Sequence, residues 1–189
     1  MCSSDLVMLE KGDIAASQFE IPLATIDAFF ERARTAGATT ILNPAPALSF
    51  DRKLLDLVDI LVLNETELGL LAGGGFRESD DDARFIDAAR SLQTSRDQTI
   101  CVTLGQRGVV ALVGGAPLII PGRMVGAIDT TGAGDCFVGA LAAQLADGAA
   151  MRDALEYANA AASICVQRMG AAPSMPTAEE VEALSKRAL

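Results

Sequence analysis

Short apolar runs rich in β-branched residues alternate along this chain with longer segments whose apolar residues recur every three to four positions. The short runs predict strands at residues 6–9, 40–42, 60–63, 99–104, 109–113 and 118–120. The longer segments predict helices at residues 23–36, 65–71, 81–92, 133–146, 151–166 and 178–189. This alternation is typical of βαβ units, in which helices cover a mostly parallel sheet. The sequence therefore predicts an α/β fold that forms a single domain over residues 1–189.

Local signals support several of these boundaries. The runs at 60–63 and 100–104 lack polar–apolar alternation, as expected of strands that are buried on both faces. Pro22 and Gly37 suit the start and the end of the helix predicted between them. Ser79, followed three residues later by Asp82, resembles a capping box. A further strand-like segment is predicted at 125–128.

Composition and charge exclude several classes of function. The chain carries 25 acidic and 15 basic residues, a formal net charge of −10, and contains no histidine. A negative field disfavours general binding to nucleic acid or to an anionic membrane, because like charges repel. The absence of histidine excludes His-dependent triads, haem ligation through His and His-ligated zinc. No apolar run reaches the ~20 residues that a membrane-spanning helix needs.

The four cysteines are scattered and form no CxxC pair, which argues against a zinc site. Cys101, Cys136 and Cys165 lie in apolar runs and are predicted to be buried thiols, a pattern that fits a reducing cytoplasm. Residues 1–5 carry no basic signal-peptide region. We interpret them as a non-native start, because C-S-S-D-L resembles a translated sequencing adapter.

The stretch D-T-T-G-A-G-D at 129–135 precedes a predicted apolar helix and is the most informative motif. Gly132 and Gly134 let the backbone approach a ligand closely, and N–H groups at a helix start form an anion pocket. Asp135 would lie beside the bound anion. A carboxylate repels phosphate, but it can take a proton from a hydroxyl that attacks the phosphate. An ordinary helix-capping loop is the alternative on these residues alone.

The longer string D-T-T-G-A-G-D-C-F-V-G-A-L at 129–141 resembles the C-terminal signature of the ribokinase-like (pfkB) carbohydrate kinases. Other segments resemble the family in the same order: Q-F-E-I-P-L at 18–23, L-N-P-A-P-A at 42–47, N-E-T-E at 64–67, T-L-G-Q-R-G at 103–108 and R-M-G-A-A-P-S-M-P at 168–176. The resemblance covers nearly the whole chain from residue 6 onward. It implies a three-layer α/β/α fold with a mostly parallel central sheet.

The resemblance also implies a reaction, the ATP-dependent phosphorylation of a sugar's primary hydroxyl, with D-ribose giving D-ribose 5-phosphate. Asp135 would be the general base and would contact the sugar. Gly132, Ala133 and Gly134 would form the anion hole for the transferred phosphoryl group. Glu20 matches a sugar-contacting position, although a solvated glutamate before a helix is the alternative.

Nucleotide and metal contacts are implied in the same way. Asn64 and Glu67 would place the phosphates and Mg²⁺, Glu67 through water. The residues implied to line the ATP site are Thr103, Gly105, Gln106, Arg107, Gly108, Gly134 and Asn159. A tight hairpin turn at 105–108 and a polar helix edge at Asn159 are the structural alternatives. A monovalent cation, K⁺, would be held by Asp129, Thr131, Cys165, Arg168, Gly170 and Ser174, several of them through carbonyl oxygens.

The chain departs from the family pattern at its start. It shows no N-terminal sugar-gripping aspartate, glycine–asparagine pair or β-lid, so we expect it to be the C-terminal, nucleotide-binding portion of a longer cytoplasmic, homodimeric kinase. The chain alone is expected to have little kinase activity. The alternatives are a fructokinase, a 2-keto-3-deoxygluconate kinase, a nucleoside kinase or an inactive nucleotide-binding fragment. An oxidoreductase is disfavoured because no G-x-G-x-x-G follows the first strand.

Overall fold

Six strands form one mixed sheet in chain order in the computed structural model, which describes residues 8–77 and 79–186. The strands are β1 (Ile14–Gln18), β2 (Thr39–Asn43), β3 (Ile60–Asn64), β4 (Thr99–Thr103), β5 (Gly108–Val113) and β6 (Ala116–Pro121). Strands β1 to β4 run parallel, whereas β5 and β6 add to the sheet as an antiparallel hairpin.

Helices cover both faces of the sheet, which confirms the predicted three layers. They are α1 (Leu23–Ala36), α2 (Glu65–Ala72), α3 (Asp82–Leu92), α4 (Ala133–Ala146), α5 (Met151–Cys165) and α6 (Ala178–Lys186). Leu61 of β3 belongs to the core that α1, α2 and α3 cover, whereas the adjacent Val62 belongs to the core beneath α4 and α5. This alternation explains why β3 is apolar over residues 60–63.

Capping residues set the helix boundaries. Gly37 ends α1 in the left-handed conformation, with φ 79°, as its position predicted. The prediction that Ser79 and Asp82 cap α3 is wrong. The cap is Asp81, whose carboxylate accepts the Arg84 N–H, because this oxygen meets the third amide of the helix.

Other predictions differ from the structure near the chain ends. Residues 8 and 9 lie outside any strand, and the first strand is β1, whose sequence I-A-A-S-Q contains only one large apolar residue. The segment 125–128 is not part of the sheet, since the chain there crosses from β6 to α4. The predicted non-native start at 1–5, residues 6–7 and the last three residues of the predicted final helix lie outside the described residues.

Cys101, Cys136 and Cys165 are buried, as predicted, and burial raises the pKa of the Cys101 thiol to about 12. Within the described ranges, no helix has the length and apolar character required to cross a bilayer.

Candidate active site

Four neighbouring strands end in polar residues at one edge of the sheet. Strands β1 to β4 end in Gln18, Asn43, Asn64 and Thr103, and the register pairs Gln18 with Asn43 and Asn64 with Thr103. The carboxyl ends of parallel strands are where α/β sheets place their ligands. Hydrogen bonds join part of this edge, since Gln18 Nε2 donates to Asn43 Oδ1 over 3.0 Å.

The glycine-rich turn reaches the same edge immediately before α4. Gly132 has φ 77°, which disfavours any residue with a side chain, and a Cβ there would lie 3.2 Å from Ala171. Glycine at 132 therefore allows α4 to begin against the segment around Ala171. The positive end of this helix faces the turn and favours an anion.

The amides of the turn are not equivalent. The Ala133 N–H donates to the Thr130 carbonyl over 3.2 Å and so has a partner within the turn. Its role as an anion-hole donor stays a prediction. The N–H groups of Gly134 and Asp135 lie in the first turn of α4, where a helix supplies no carbonyl partners of its own.

The Asp135 carboxylate is exposed and contacts a residue from a distant part of the chain. Gln18 Nε2 donates to Asp135 Oδ1 over 2.6 Å, which fixes the start of α4 beside the carboxyl end of β1. The Asp135 carboxylate is thus accessible beside the amides of its own helix start, and its role as a general base stays a prediction.

A cleft of about 210 Å³ opens between the turn after β4, the start of α4 and one face of α5. The predicted nucleotide-site residues that line it are Thr103, Gly105, Gln106, Gly108, Gly134 and Asn159. Ala133 and Phe137 of α4 lie in the same wall. The cleft therefore brings together residues from the three segments that the sequence assigned to one ATP site.

The turn after β4 exposes its backbone to the cleft. Gly108 has φ 96°, and a Cβ there would collide with the Ile120 carbonyl of β6. The predicted hairpin turn at 105–108 is thus confirmed, and it forms part of the cleft wall. Asn159 Nδ2 donates to the Pro121 carbonyl over 3.0 Å, which positions its side chain at the other side of the hairpin.

Arg107 differs from its neighbours in this turn. Its guanidinium pairs with Asp82 at 2.5 Å and lies over the Phe85 ring at 5.2 Å. Its side chain is therefore directed to α3 and is not part of the cleft lining. A role of Arg107 in nucleotide binding stays a prediction.

A family model for pfkB carbohydrate kinases matches residues 4–178 of this sequence. The chain belongs to the pfkB family. Ribokinase of Staphylococcus aureus strain COL is 38% identical over 171 residues, covering 90% of this chain and 55% of that protein.

Two solved structures of pfkB-type enzymes are similar to this fold. The Arabidopsis thaliana ribokinase complexed with ribose and ATP has a TM-score of 0.81 and 33% identity, covering 92% of this chain and 55% of that one. The Thermotoga maritima ribokinase has a TM-score of 0.80 and 33% identity, covering 92% and 57%. The chain thus spans about half the length of the relatives it matches.

The pfkB N-x-x-E element forms a capping box at the start of α2. The Asn64 side chain accepts the Glu67 N–H at 2.9 Å, and Glu67 Oε2 accepts the Asn64 N–H at 2.8 Å. Glu67 Oε1 accepts from Asn64 Nδ2 at 2.9 Å. Glu67 is only 4% exposed, and this burial raises the pKa of its carboxyl despite the hydrogen bonds from Asn64 and Asn43.

Because both Glu67 oxygens accept N–H groups, this carboxylate does not fit direct coordination of Mg²⁺. Across the described residues, no group of three acidic or cysteine side chains could hold a metal ion. A water-mediated role of Glu67 stays a prediction, since Mg²⁺ commonly keeps several waters and binds through substrate phosphates.

The predicted K⁺ residues lie in two linked loops. The Asp129 carboxylate accepts the Thr131 and Gly170 N–H groups at 2.9 Å each, and these bonds lower the pKa of Asp129. Cys165 Sγ lies 3.0 Å from Ser174 Oγ. Each Asp129 oxygen accepts an N–H group, so these contacts order the two loops, and the K⁺ ion and its ligands stay a prediction.

Arg168 takes no side-chain part in that loop. Its guanidinium forms a paired contact with Glu180, at 2.6 and 3.2 Å, and this contact raises the pKa of Arg168. The prediction that only the Arg168 carbonyl could serve as a ligand is consistent with this pairing. Glu20 lies exposed in the turn between β1 and α1, two residues beyond Gln18, so its sugar contact stays a prediction.

Three residues near the site received no role in the sequence predictions, although two of them stand in segments that resemble the family. Gln18 and Asn43 belong to the polar strand ends, and their role depends on which strands are neighbours. Arg123 is the only charged side chain among the described residues that line the cleft. A lone arginine between β6 and α4 carries no sequence signal that separates it from a surface residue.

Proposed function

We propose that the protein is an ATP-dependent sugar kinase whose acceptor is the primary hydroxyl of D-ribose, with D-ribose 5-phosphate and ADP as products. One observation carries the proposal. The exposed Asp135 carboxylate stands at the start of α4, immediately beside Gly134 in the wall of the cleft. A base and an anion-binding helix start in contact are what phosphoryl transfer to an alcohol requires.

The reaction follows from this arrangement. Asp135 accepts the proton of the sugar hydroxyl as the hydroxyl oxygen forms a bond to the γ-phosphorus. The bond between the γ-phosphorus and the bridging oxygen breaks, and ADP leaves with that electron pair. The amides of the first turn of α4 stabilise charge on the transferred group. A preorganised donor of this kind contributes about 3–4 kcal/mol to transition-state stabilisation.

Ribose is favoured as the acceptor by the similarity to several proteins named ribokinase at 36–38% identity. Glu20 supports a polyol, because a carboxylate accepts hydrogen bonds from two hydroxyl groups. Mg²⁺, K⁺, the cytoplasmic location and the homodimer belong to the same proposal and rest on the family resemblance.

The test is ADP release by the product of the complete gene that carries this chain, with ribose, fructose, 2-keto-3-deoxygluconate and a nucleoside as separate acceptors. The proposal expects the highest kcat/KM with ribose. A higher kcat/KM with fructose would overturn the ribose assignment while leaving the kinase in place.

The base is tested by Asp135→Asn, which should lower kcat by about 10²–10⁴-fold, the usual contribution of a general base. ADP binding should stay within about twofold, because this change removes a proton acceptor and not a nucleotide contact. Asp147→Asn, at the other end of α4, is the matched control. Retention of kcat in Asp135→Asn would remove Asp135 from the mechanism.

A further inference from the structure

A chain of side-chain amides connects Asp135 to the buried centre of the molecule. Gln18 Nε2 donates both to Asp135 Oδ1, at 2.6 Å, and to Asn43 Oδ1, at 3.0 Å. Asn43 Nδ2 in turn donates to the Val62 carbonyl at 3.0 Å and to Glu67 Oε2 at 3.3 Å. The five groups lie along the carboxyl ends of β1, β2 and β3 and the start of two helices.

The groups at the two ends of this hydrogen-bonded series determine which atom donates and which accepts at every step. The Val62 carbonyl can only accept, and Glu67 already accepts N–H groups from Asn64, so the Nδ2 hydrogens of Asn43 face both of them. The Asn43 oxygen must then face Gln18. Gln18 uses one amide hydrogen for that oxygen, which leaves its second hydrogen for the Asp135 carboxylate.

Burial of Asn43 keeps the side-chain amides in this orientation. Asn43 is 7% exposed, and rotating its amide would place two acceptors or two donors in contact away from water. Leaving a buried polar group unsatisfied costs about 1–3 kcal/mol. The buried Asn43 side chain, which cannot reorient, therefore holds the Gln18 amide, and this amide in turn donates to the exposed Asp135 carboxylate.

We propose that Gln18 is a positioning residue for Asp135, and this inference rests on the proposed role of Asp135 as the base. Gln18 fixes the carboxylate through Oδ1 and directs Oδ2 toward the acceptor hydroxyl. Asn43 in turn holds the Gln18 side chain in place. Without Gln18, the carboxylate would rotate freely in solvent, and a misplacement of about 1 Å can reduce a rate by roughly 10²-fold.

The kinetic test uses Gln18→Met, which keeps the length of the side chain and removes the donor. In the product of the complete gene, kcat should fall about 10- to 100-fold, whereas KM for ATP should stay within about twofold, because Gln18 does not line the cleft. Gln144→Met, on α4 and away from the edge, should leave both constants unchanged.

A double-mutant cycle separates positioning from a general structural role. If Gln18 acts through Asp135, adding Gln18→Met to Asp135→Asn should cause less than about a twofold further loss of kcat. A loss of equal size in both backgrounds would overturn the inference, and so would an unchanged kcat in Gln18→Met alone. Retention of kcat in Asp135→Asn would instead count against the proposed function.

A second test needs no turnover and uses the 189-residue chain labelled with ¹⁵N. The side-chain amide resonances of Gln18 should shift in Asp135→Ala, which removes the acceptor, and should stay unchanged in Asp147→Ala. Unshifted Gln18 resonances in Asp135→Ala would show that the contact is absent in solution and would overturn the inference, while the role of Asp135 would stand.

Discussion

The glycines of the two motifs at 103–108 and 129–141 differ in what they do for the protein. Gly108 and Gly132 have positive φ and little space, since their Cβ positions meet the Ile120 carbonyl and Ala171. Gly134 lies in α4 with ordinary helical geometry, and a Cβ there would meet nothing within 4 Å. The protein itself therefore has no steric need for glycine at 134, and the open space there lies toward the cleft.

Gly108→Ala should reduce the free energy of unfolding by about 2–4 kcal/mol, because the methyl group adds left-handed strain and a collision with β6. Gly134→Ala should be neutral or should stabilise α4 by up to about 1 kcal/mol, since alanine favours helix over glycine. Urea unfolding of the two variants checks both values. Equal losses at the two positions would contradict this assignment.

Arg123 is the residue best placed to add positive charge to the cleft of an acidic protein. Arg123→Ala should weaken ADP binding about three- to tenfold, measured by titration calorimetry. The expected loss is modest because solvent screens much of the attraction between a partly exposed cation and the ADP phosphates. Arg123→Lys should recover part of the affinity. Met124→Ala changes a neighbour that is 85% exposed and should have no effect. Unaltered ADP affinity in Arg123→Ala would exclude Arg123 from the site.

At the scale of elements, the start of α2 joins a helix cap to the polar edge of the sheet. Glu67 closes the capping box with Asn64 and also accepts from Asn43 of β2. Its burial raises the pKa of the carboxyl, so the folded state binds a proton more readily than the unfolded chain does. Stability contributed by this group therefore falls as pH rises from the unfolded pKa through the higher folded pKa.

Glu67→Gln removes this titration. The free energy of unfolding of the native chain, minus that of Glu67→Gln, should decrease as pH rises above 4.5, the ordinary value for this carboxyl, and then become constant. Urea unfolding between pH 4 and 8 measures this difference. Glu65→Gln, in the same turn of α2, controls for the loss of a charge at the helix start. A difference that increases with pH would contradict the sign.

The elements that could be predicted from sequence are those whose own residues determine them. Strands β3 and β4 are apolar because both of their faces are covered, and α1 carries its own apolar stripe and end signal. Strand β1 has small and polar residues and forms because β2 lies beside it. The contact between Gln18 and Asp135 joins residues 117 positions apart, so only the folded chain reveals it.

At the scale of the molecule, the site lies at the carboxyl ends of the parallel strands, which both helical layers reach. Helices α1 to α3 cover one face of the sheet, and α4 and α5 cover the other. The Gln18–Asp135 contact links the start of α4 to the carboxyl end of β1. Among the described strands, β1 pairs only with β2 and forms one edge of the sheet. The cleft that we propose for the nucleotide is lined by residues of this chain, whereas Asp135 and Glu20, the residues that we propose for the acceptor, are exposed.

This asymmetry predicts different behaviour toward the two substrates. The 189-residue chain should bind ADP measurably but should release little ADP in response to ribose, because two exposed carboxylates cannot by themselves hold a sugar against water. Titration calorimetry with ADP and a coupled assay with ribose measure the two properties on one preparation.

A fusion protein tests whether the low turnover expected of this chain is due to the proposed acceptor site alone. Fusing the part of Staphylococcus aureus ribokinase that this chain does not match should raise ribose-dependent ADP release at least about 10²-fold, since oriented reactants account for a large share of the rate. Affinity for ADP should change by less than about threefold, because the added part does not build the cleft described above. Vigorous ribose-dependent turnover by the 189-residue chain alone would show instead that Asp135, Gln18 and Glu20 suffice to hold and activate the sugar.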